Sequence, residues 1–359
     1  MFKSRKFLFL LGSFALLTGA TTTMASASST IHQKGNALTG AVSKKVVNNK
    51  NYATIPAYSY TSSKDYISSS TYQTKPDTYK FKAGNFKRNA QTFMYLPVSH
   101  NYSGDIANPQ SAVQSPDGHY VYVMYSLGNN SIIRYDLWKL HDLGVNTDHM
   151  DSLRRGINTN PQIKAAIKYG SKFSVGHGQS LSYNPKNNKL YFFDMLLTTN
   201  KPTLVEINPD TLKVTKKISF KLNNNDSINN ELTFDKHGNF YTYIKHMNKG
   251  KVAGGITIYK GQLKGNRVHM ESIQQGLAHA PGDHTQGMGY NPKSNRLYFV
   301  SDGAITSVPV NKLGHLKPND VRTTKWDVTR EFEGISFTKS GRGLILMNRG
   351  AELVEVKDF

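Results

Sequence analysis

The sequence predicts an all-β fold, a β-propeller of about five blades, and three observations lead to it. A unit recurs five times along residues 110–359. Within each unit apolar residues alternate, which buries one face of a strand. Each unit also turns at a polar cluster before re-entering an aromatic strand, which is hairpin chemistry. A six-bladed ring or a β-sandwich are the alternatives.

The units are QSAVQSPDGHYVYVMY from Gln110, QSLSYNPKNNKLYFFD from Gln179, ELTFDKHGNFYTYI from Glu231, QGMGYNPKSNRLYFVSD from Gln286 and EGISFTKSGRGLILMN from Glu333. Successive starts lie 69, 52, 55 and 47 residues apart, near the length of one four-stranded blade. A third strand follows each hairpin: SIIRYDL, TLVEINPDTLKVTKKI, GITIYKGQL, AITSVPV and ELVEVKDF. One such hairpin cannot bury its own apolar face, so stacked copies must cover each other. The strand TFMYLPV from Thr92 precedes the first unit, and the chain stops after the third strand of the fifth. If TFMYLPV supplies the outer strand of the last blade, it joins the two ends and protects strand edges.

Ahead of the propeller domain, assigned to residues 89–359, two segments are expected. Residues 1–27 read as a signal peptide: Lys3, Arg5 and Lys6 precede an apolar run, and Ala25-Ser26-Ala27 fits a small-residue cleavage site. Residues 28–88 read as a low-complexity basic linker, rich in Ser, Thr, Lys, Asn and Tyr and without a sustained period. Tyr58, Tyr60, Tyr66, Tyr72 and Tyr79 leave room for stacking on glycan rings.

Composition narrows the function classes. No cysteine is present, which removes thiol nucleophiles and Cys-ligated zinc and leaves core burial to hold an exported fold. The net charge is +21, of which +3 belongs to the signal region, +8 to residues 28–90 and +10 to the rest. A basic exported chain is drawn to an anionic bacterial cell surface, presented by teichoic acid, phospholipid or glycan. Nucleic acid is not expected as a partner, since no nucleic-acid module is recognisable. No stretch of the mature chain is apolar enough for a transmembrane span. The expected location is secreted or cell-wall associated.

The candidate binding residues come from the repeat register. The inner strand of a blade starts at the axial mouth, so Gln110, Gln179, Glu231, Gln286 and Glu333 are expected to converge there. His177 and His284 stand two positions ahead of Gln179 and Gln286. Five equivalent polar positions equally suit hydrogen bonds that stitch blade to blade. No catalytic residue, metal site or cofactor is assigned. Glu231 and Glu333 could serve as acid and base, but glutamine holds three of the five positions and cannot exchange a catalytic proton. There is no P-loop, G-x-S-x-G elbow or HExxH.

GHGQSLSYNP from Gly176 and DHTQGMGYNP from Asp283 resemble the G-H-T-Q strand start of the helveticin J type of large bacteriocin from lactobacilli. QSAVQSPDGHYVYVMYSLGNNSIIRYDL is similar to that family's A-x-x-A-V-S-P-D segment and its following I-x-x-Y-x-L strand, and Glu331-Phe332-Glu333-Gly334-Ile335-Ser336 has a loose counterpart. The resemblance covers roughly residues 108–359 in short motifs. It implies antibacterial action on related Gram-positive bacteria. A non-lethal wall-binding adhesin is the alternative, and an extracellular glycosidase or lactonase the third.

Overall fold

A computed structural model describes residues 28–42, 45–50, 52, 59–60, 77–97, 106–146, 152–153, 157, 160–196, 198–223, 226–246, 255–348, 350–357 and 359. The expected signal peptide lies outside them. Among the described residues no helix is long and apolar enough to cross a membrane.

Five sheets form an all-β, propeller-like arrangement. Sheet I runs outward from Ala107–Gln114 through Tyr120–Leu127 and Ile132–Asp136 to Ile167–Tyr169. Sheet II starts at Ser182–Asn184 and continues through Lys189–Phe193, Thr203–Ile207 and Val214–Lys221. Sheet III comprises Thr233–Phe234, Asn239–Lys245, Ile256–Lys264 and Arg267–Ser272. Sheet IV comprises Thr285–Asn291, Arg296–Ser301, Ala304–Pro309 and Arg322–Trp326. Sheet V comprises Phe332–Phe337, Gly343–Met347, Glu352–Val356 and Ala90–Tyr95. The last pairing, Glu352↔Tyr95 to Glu355↔Gln91, is the expected junction of the two ends of the repeat region.

The repeat chemistry explains the hairpins. Each polar cluster ends on a left-handed residue: Gly118 at φ 76°, Asn188 at 54°, Gly238 at 79°, Asn295 at 52° and Gly341 at 89°. Gly and Asn are the residues that tolerate this conformation. Side chains at the start of the turns hold them: Asn184 Oδ1 accepts from Lys186 N, Asp235 Oδ1 from His237 N and Asn291 Oδ1 from Lys293 N.

Burial follows the seams between sheets. Phe93, Leu344 and Leu353 of sheet V pack with Val121, Val123 and Ile133 of sheet I. Met124 and Ile132 then meet Leu190 and Val205 across the next seam. Phe193 and Ile218 meet Phe240 and Met270, Tyr243 and Ile258 meet Leu297 and Phe299, and Tyr298 and Val300 meet Ile345 and Val354. Each sheet thus covers its neighbours on both sides, as the units require.

The linker reading is corrected where residues 28–88 are described. Ser29–Asn36 adds to sheet II, parallel to Val214–Lys221. Leu38–Thr39 and Val46–Val47 add to sheet III. Phe81–Gly84 edges sheet IV, and Thr78–Tyr79 edges sheet V. The sequence hides these strands because an edge strand pairs through backbone groups and needs no alternating apolar face; Ser29–Asn36 is exposed along most of its length. Tyr79 is no glycan platform either. It is buried, and its hydroxyl donates to Glu352. Tyr58, Tyr66 and Tyr72 lie outside the described residues. A smaller correction concerns residues 203–218, read as one strand: the turn at Asn208-Pro209-Asp210 divides them into the third and fourth strands of sheet II.

Candidate functional site

The five register residues sit at the same end of the inner strands, and four of them bond directly. Glu333 Oε1 accepts from Gln110 Nε2 at 3.2 Å and from Asn348 Nδ2 at 2.9 Å. Its Oε2 accepts from Gln179 Nε2 at 3.2 Å. Gln179 Nε2 also donates to Gln286 Oε1, and Gln286 Nε2 donates to Asp302 Oδ1 at 3.5 Å. Glu231 joins through Tyr243, whose hydroxyl donates to Glu231 Oε1 at 3.1 Å and lies 3.4 Å from the Gln286 carbonyl. All five are buried. Polar atoms of four of them therefore bond one another across the axis, an arrangement that hydrogen bonds stitching blade to blade would produce.

The expected histidines divide. His177 lines a small cavity of about 200 Å³ with Asn108, Gln110, Glu331, Glu333 and Asn348. Burial pulls its pKa down, against the Glu331 carboxylate, which pulls it up. His284 is exposed; its backbone carbonyl, not its ring, serves the network by accepting from Ser301 Oγ at 2.6 Å.

Sequence reasoning missed a second polar register, at the ends of the second strands. Ser126, Asp194, Asp302 and Asn348 close the phrases VYVMYS, LYFFD, LYFVSD and LILMN. Asn108 Nδ2 donates to Ser126 Oγ at 2.7 Å, and Asn348 Nδ2 reaches Asn108 Oδ1 at 2.9 Å. Asp302 Oδ1 also accepts from Phe332 N at 3.0 Å, while its Oδ2 accepts from the Tyr60 hydroxyl. Tyr60 thus closes on the network from the segment read as a linker. The recurrence of a polar residue after each second aromatic strand was the available signal.

Burial dominates the electrostatics here. It pushes Glu231 and Asp302 up to about 7, against the hydrogen bonds each receives. Glu333 is pushed well above the usual carboxylate range by burial and by the neighbouring Glu331 charge, against the Asn348 and Gln179 amides. Glu231 Oε2 is buried with no hydrogen-bond partner. Burial thus favours neutral carboxyls here, while the amide donors around Glu333 favour its ionised form. Among the described residues no group of three or more His, Asp or Glu could hold a metal ion.

No family model matches the chain, and no curated protein matches it. Solved structures do. A structural genomics protein of unknown function from Bacteroides thetaiotaomicron aligns at 12% identity and TM-score 0.40, over 87% of this chain and 74% of that one. The soluble aldose sugar dehydrogenase of Escherichia coli aligns at 10% and 0.39, over 76% and 99%. Streptogramin B lyase aligns at 8% identity and TM-score 0.35, over 81% of this chain and 96% of that one. Likenesses this remote carry no argument about activity or ligand. What the chain itself presents is an all-β, propeller-like scaffold whose inner mouth holds a hydrogen-bonded cluster beside a small cavity.

Proposed function

We propose that this chain is a secreted antibacterial protein of the helveticin J type, a five-bladed propeller that engages the anionic surface of Gram-positive bacteria. The five sheets and their five seams support the blade count, and the G-H-x-Q and D-H-T-Q strand starts support the family. The anionic partner is teichoic acid, phospholipid or charged glycan, and the location is extracellular or wall-associated.

One observation carries the surface reading. Lys34 sits on the outer strand Ser29–Asn36 of sheet II, Lys216 and Lys221 on its partner Val214–Lys221, and Lys264 and Arg267 at the hairpin of the facing sheet III, where Arg267 donates to the Lys34 carbonyl at 3.1 Å. Lys34, Lys264 and Arg267 are exposed, and none of the five forms an ion pair among the described residues. A seam of unpaired cations attracts a polyanion through many weak contacts, each screened by salt. The mouth fits the same reading, because Gln110, Gln179, Gln286 and Glu333 spend hydrogen bonds on one another there.

The test uses the exported protein on intact Gram-positive cells. Binding and growth inhibition should fall as sodium chloride rises, and fall again when the five cations are replaced by Gln. Binding without killing would favour the adhesin. Binding that ignores both salt and the five replacements would end the electrostatic reading.

A further inference from the structure

The seam between sheets V and I holds an open cleft of about 610 Å³. It is built from the turns that follow the inner strands of sheets V and I and from the outer strand Ala90–Tyr95, and its lining includes Gln91, Asp117, Trp138, Asp142, Asn146 and Arg342. Trp138 sits in the short helix Leu137–Asp142 and is 54% exposed. Burial is the ordinary fate of so large an apolar ring, and the other tryptophan, Trp326, is only 1% exposed.

Trp138 is held open by its neighbours. Its ring stacks on His119 at 3.9 Å with 9° between planes, and His119 stacks on Tyr120 at 3.9 Å and 16°. The Arg134 guanidinium covers Tyr120 at 4.4 Å. His119 Nε2 is fixed by Asp136 Oδ1 at 3.1 Å, and the same Asp136 oxygen caps the helix by accepting from Lys139 N at 3.1 Å. The result is a four-layer column whose outermost plate is Trp138. One face of the indole is covered by His119, and the exposure leaves the other to solvent.

Around this plate stand planar polar groups. Asp117 Oδ1 accepts from His119 N at 3.0 Å and from Ser115 Oγ. Arg342 lies 4.3 Å over the Phe93 ring and donates to Glu355 Oε1 at 2.6 Å. Among the described residues Asn146 Oδ1, buried, has no hydrogen-bond partner, although the residue lines the cleft. A buried acceptor without a donor is costly, and a hydroxyl brought by a ligand would satisfy it.

We propose that this cleft is a saccharide-binding site, with one pyranose ring stacked on Trp138. An equatorially substituted pyranose has an apolar C–H face that fits a flat aromatic ring, and a rim of hydroxyls that both donate and accept. Carboxylates and side-chain amides read such hydroxyls in pairs, and an aromatic floor with a few placed polar groups is the usual build of a small-ligand site. The site is independent of the basic seam, since nothing in it depends on net charge.

The two tryptophans make the test direct. Trp326 is shielded, so fluorescence that acrylamide can quench reports Trp138. The full-length protein is titrated with triacetylchitotriose, with cellotriose and with choline chloride. The expected result is saturable protection of Trp138 by at least one of the two sugars, unchanged by added salt. Calorimetric affinity for that sugar should drop about tenfold in Trp138→Ala, as for removal of a central aromatic anchor. It should also weaken in Asn146→Ala and in Gln91→Ala, with melting temperatures retained. Protection by neither sugar, protection by choline alone, or unchanged affinity in Trp138→Ala would each overturn the proposal. Failure here leaves salt-dependent attachment through the basic seam untouched, so the two readings fail separately.

Discussion

Arg330 and Glu352 form an ion pair of 3.1 Å with both side chains almost completely buried, at 1% and 0% exposure. Arg330 also donates to the Tyr79 hydroxyl at 3.1 Å and to the backbone carbonyls of Asn348 and Gly350. Burial raises the Glu352 pKa and the Arg330 charge lowers it. Three distant stretches of chain meet at this pair: the strand Thr78–Tyr79, the start of sheet V, and its third strand.

Removing one partner leaves an unpaired buried charge, so Arg330→Ala or Glu352→Ala should each destabilise by about 3–5 kcal/mol. Tyr79→Phe should cost about 1 kcal/mol. Urea midpoints on the three variants check the order; equal costs for all three would mean that the pair is not the keystone of this junction.

The outer strands make a second prediction. A chain beginning at Arg88 loses Ser29–Asn36, Phe81–Gly84 and the buried Tyr79. Deleting a single buried aromatic costs about 3–5 kcal/mol, and sheets II, III, IV and V each lose an edge pairing. Such a chain should melt at a markedly lower temperature or come out insoluble. A melting point equal to that of the full chain would restore the linker reading of residues 28–88.

Stability should fall as the solution is made less acidic. Glu231 and Asp302 have folded pKa values raised to about 7 from ordinary values of 4.5 and 3.8. Between those limits the native state holds more protons than the unfolded one, so rising pH favours unfolding. Asp117 and Asp320 are shifted downward and act oppositely, but only below their ordinary 3.8. Chemical denaturation should therefore give a few kcal/mol more stability near pH 5 than near pH 8, order of magnitude. Glu333 and Glu352 are raised by burial too and act in the same direction, so Glu231→Gln with Asp302→Asn should reduce the slope without abolishing it; a slope undiminished in the double variant would place its origin elsewhere.

The stitched mouth gives the fourth. Three amides converge on Glu333, whose environment favours the neutral acid. Gln imitates a neutral carboxyl, so Glu333→Gln should stay within about 1 kcal/mol of the parent, whereas Glu333→Ala strands its partners and costs about 1–3 kcal/mol. Attachment to cells should be unaltered in both once folded. Loss of attachment in well-folded Glu333→Gln would return recognition to the channel mouth.

The core of the fold was readable because its signals are local. Alternation in QSAVQ or EGISF, and a Gly or Asn at the close of each turn, state strand and hairpin within a dozen residues. The register of Gln110, Gln179, Glu231, Gln286 and Glu333 was readable for the same reason. What each does was not, because whether a polar side chain meets a ligand or another side chain depends on residues some 150 positions away, as with Gln179 and Glu333. His284 shows the limit from the other side: it shares a motif with His177 and both are exposed, yet only His177 lines the small cavity. The edge strands were invisible because their pairing partners read only their backbone.

The segment from Ser29 to Tyr95 touches sheets II, III, IV and V, yet its partners lie far downstream: Ser29 pairs with Lys216, Leu38 with Met270, Ala83 with Lys325 and Tyr95 with Glu352. The part of the molecule made first is thus the part that settles last. Each stretch of this early segment must wait for its own partner, near residues 216, 270, 325 and 352 in turn, and closing loops of about two hundred residues is slow. A nascent chain would stay open for nearly the whole of its synthesis, and a single late event, the arrival of the final strands, would convert it to the finished ring.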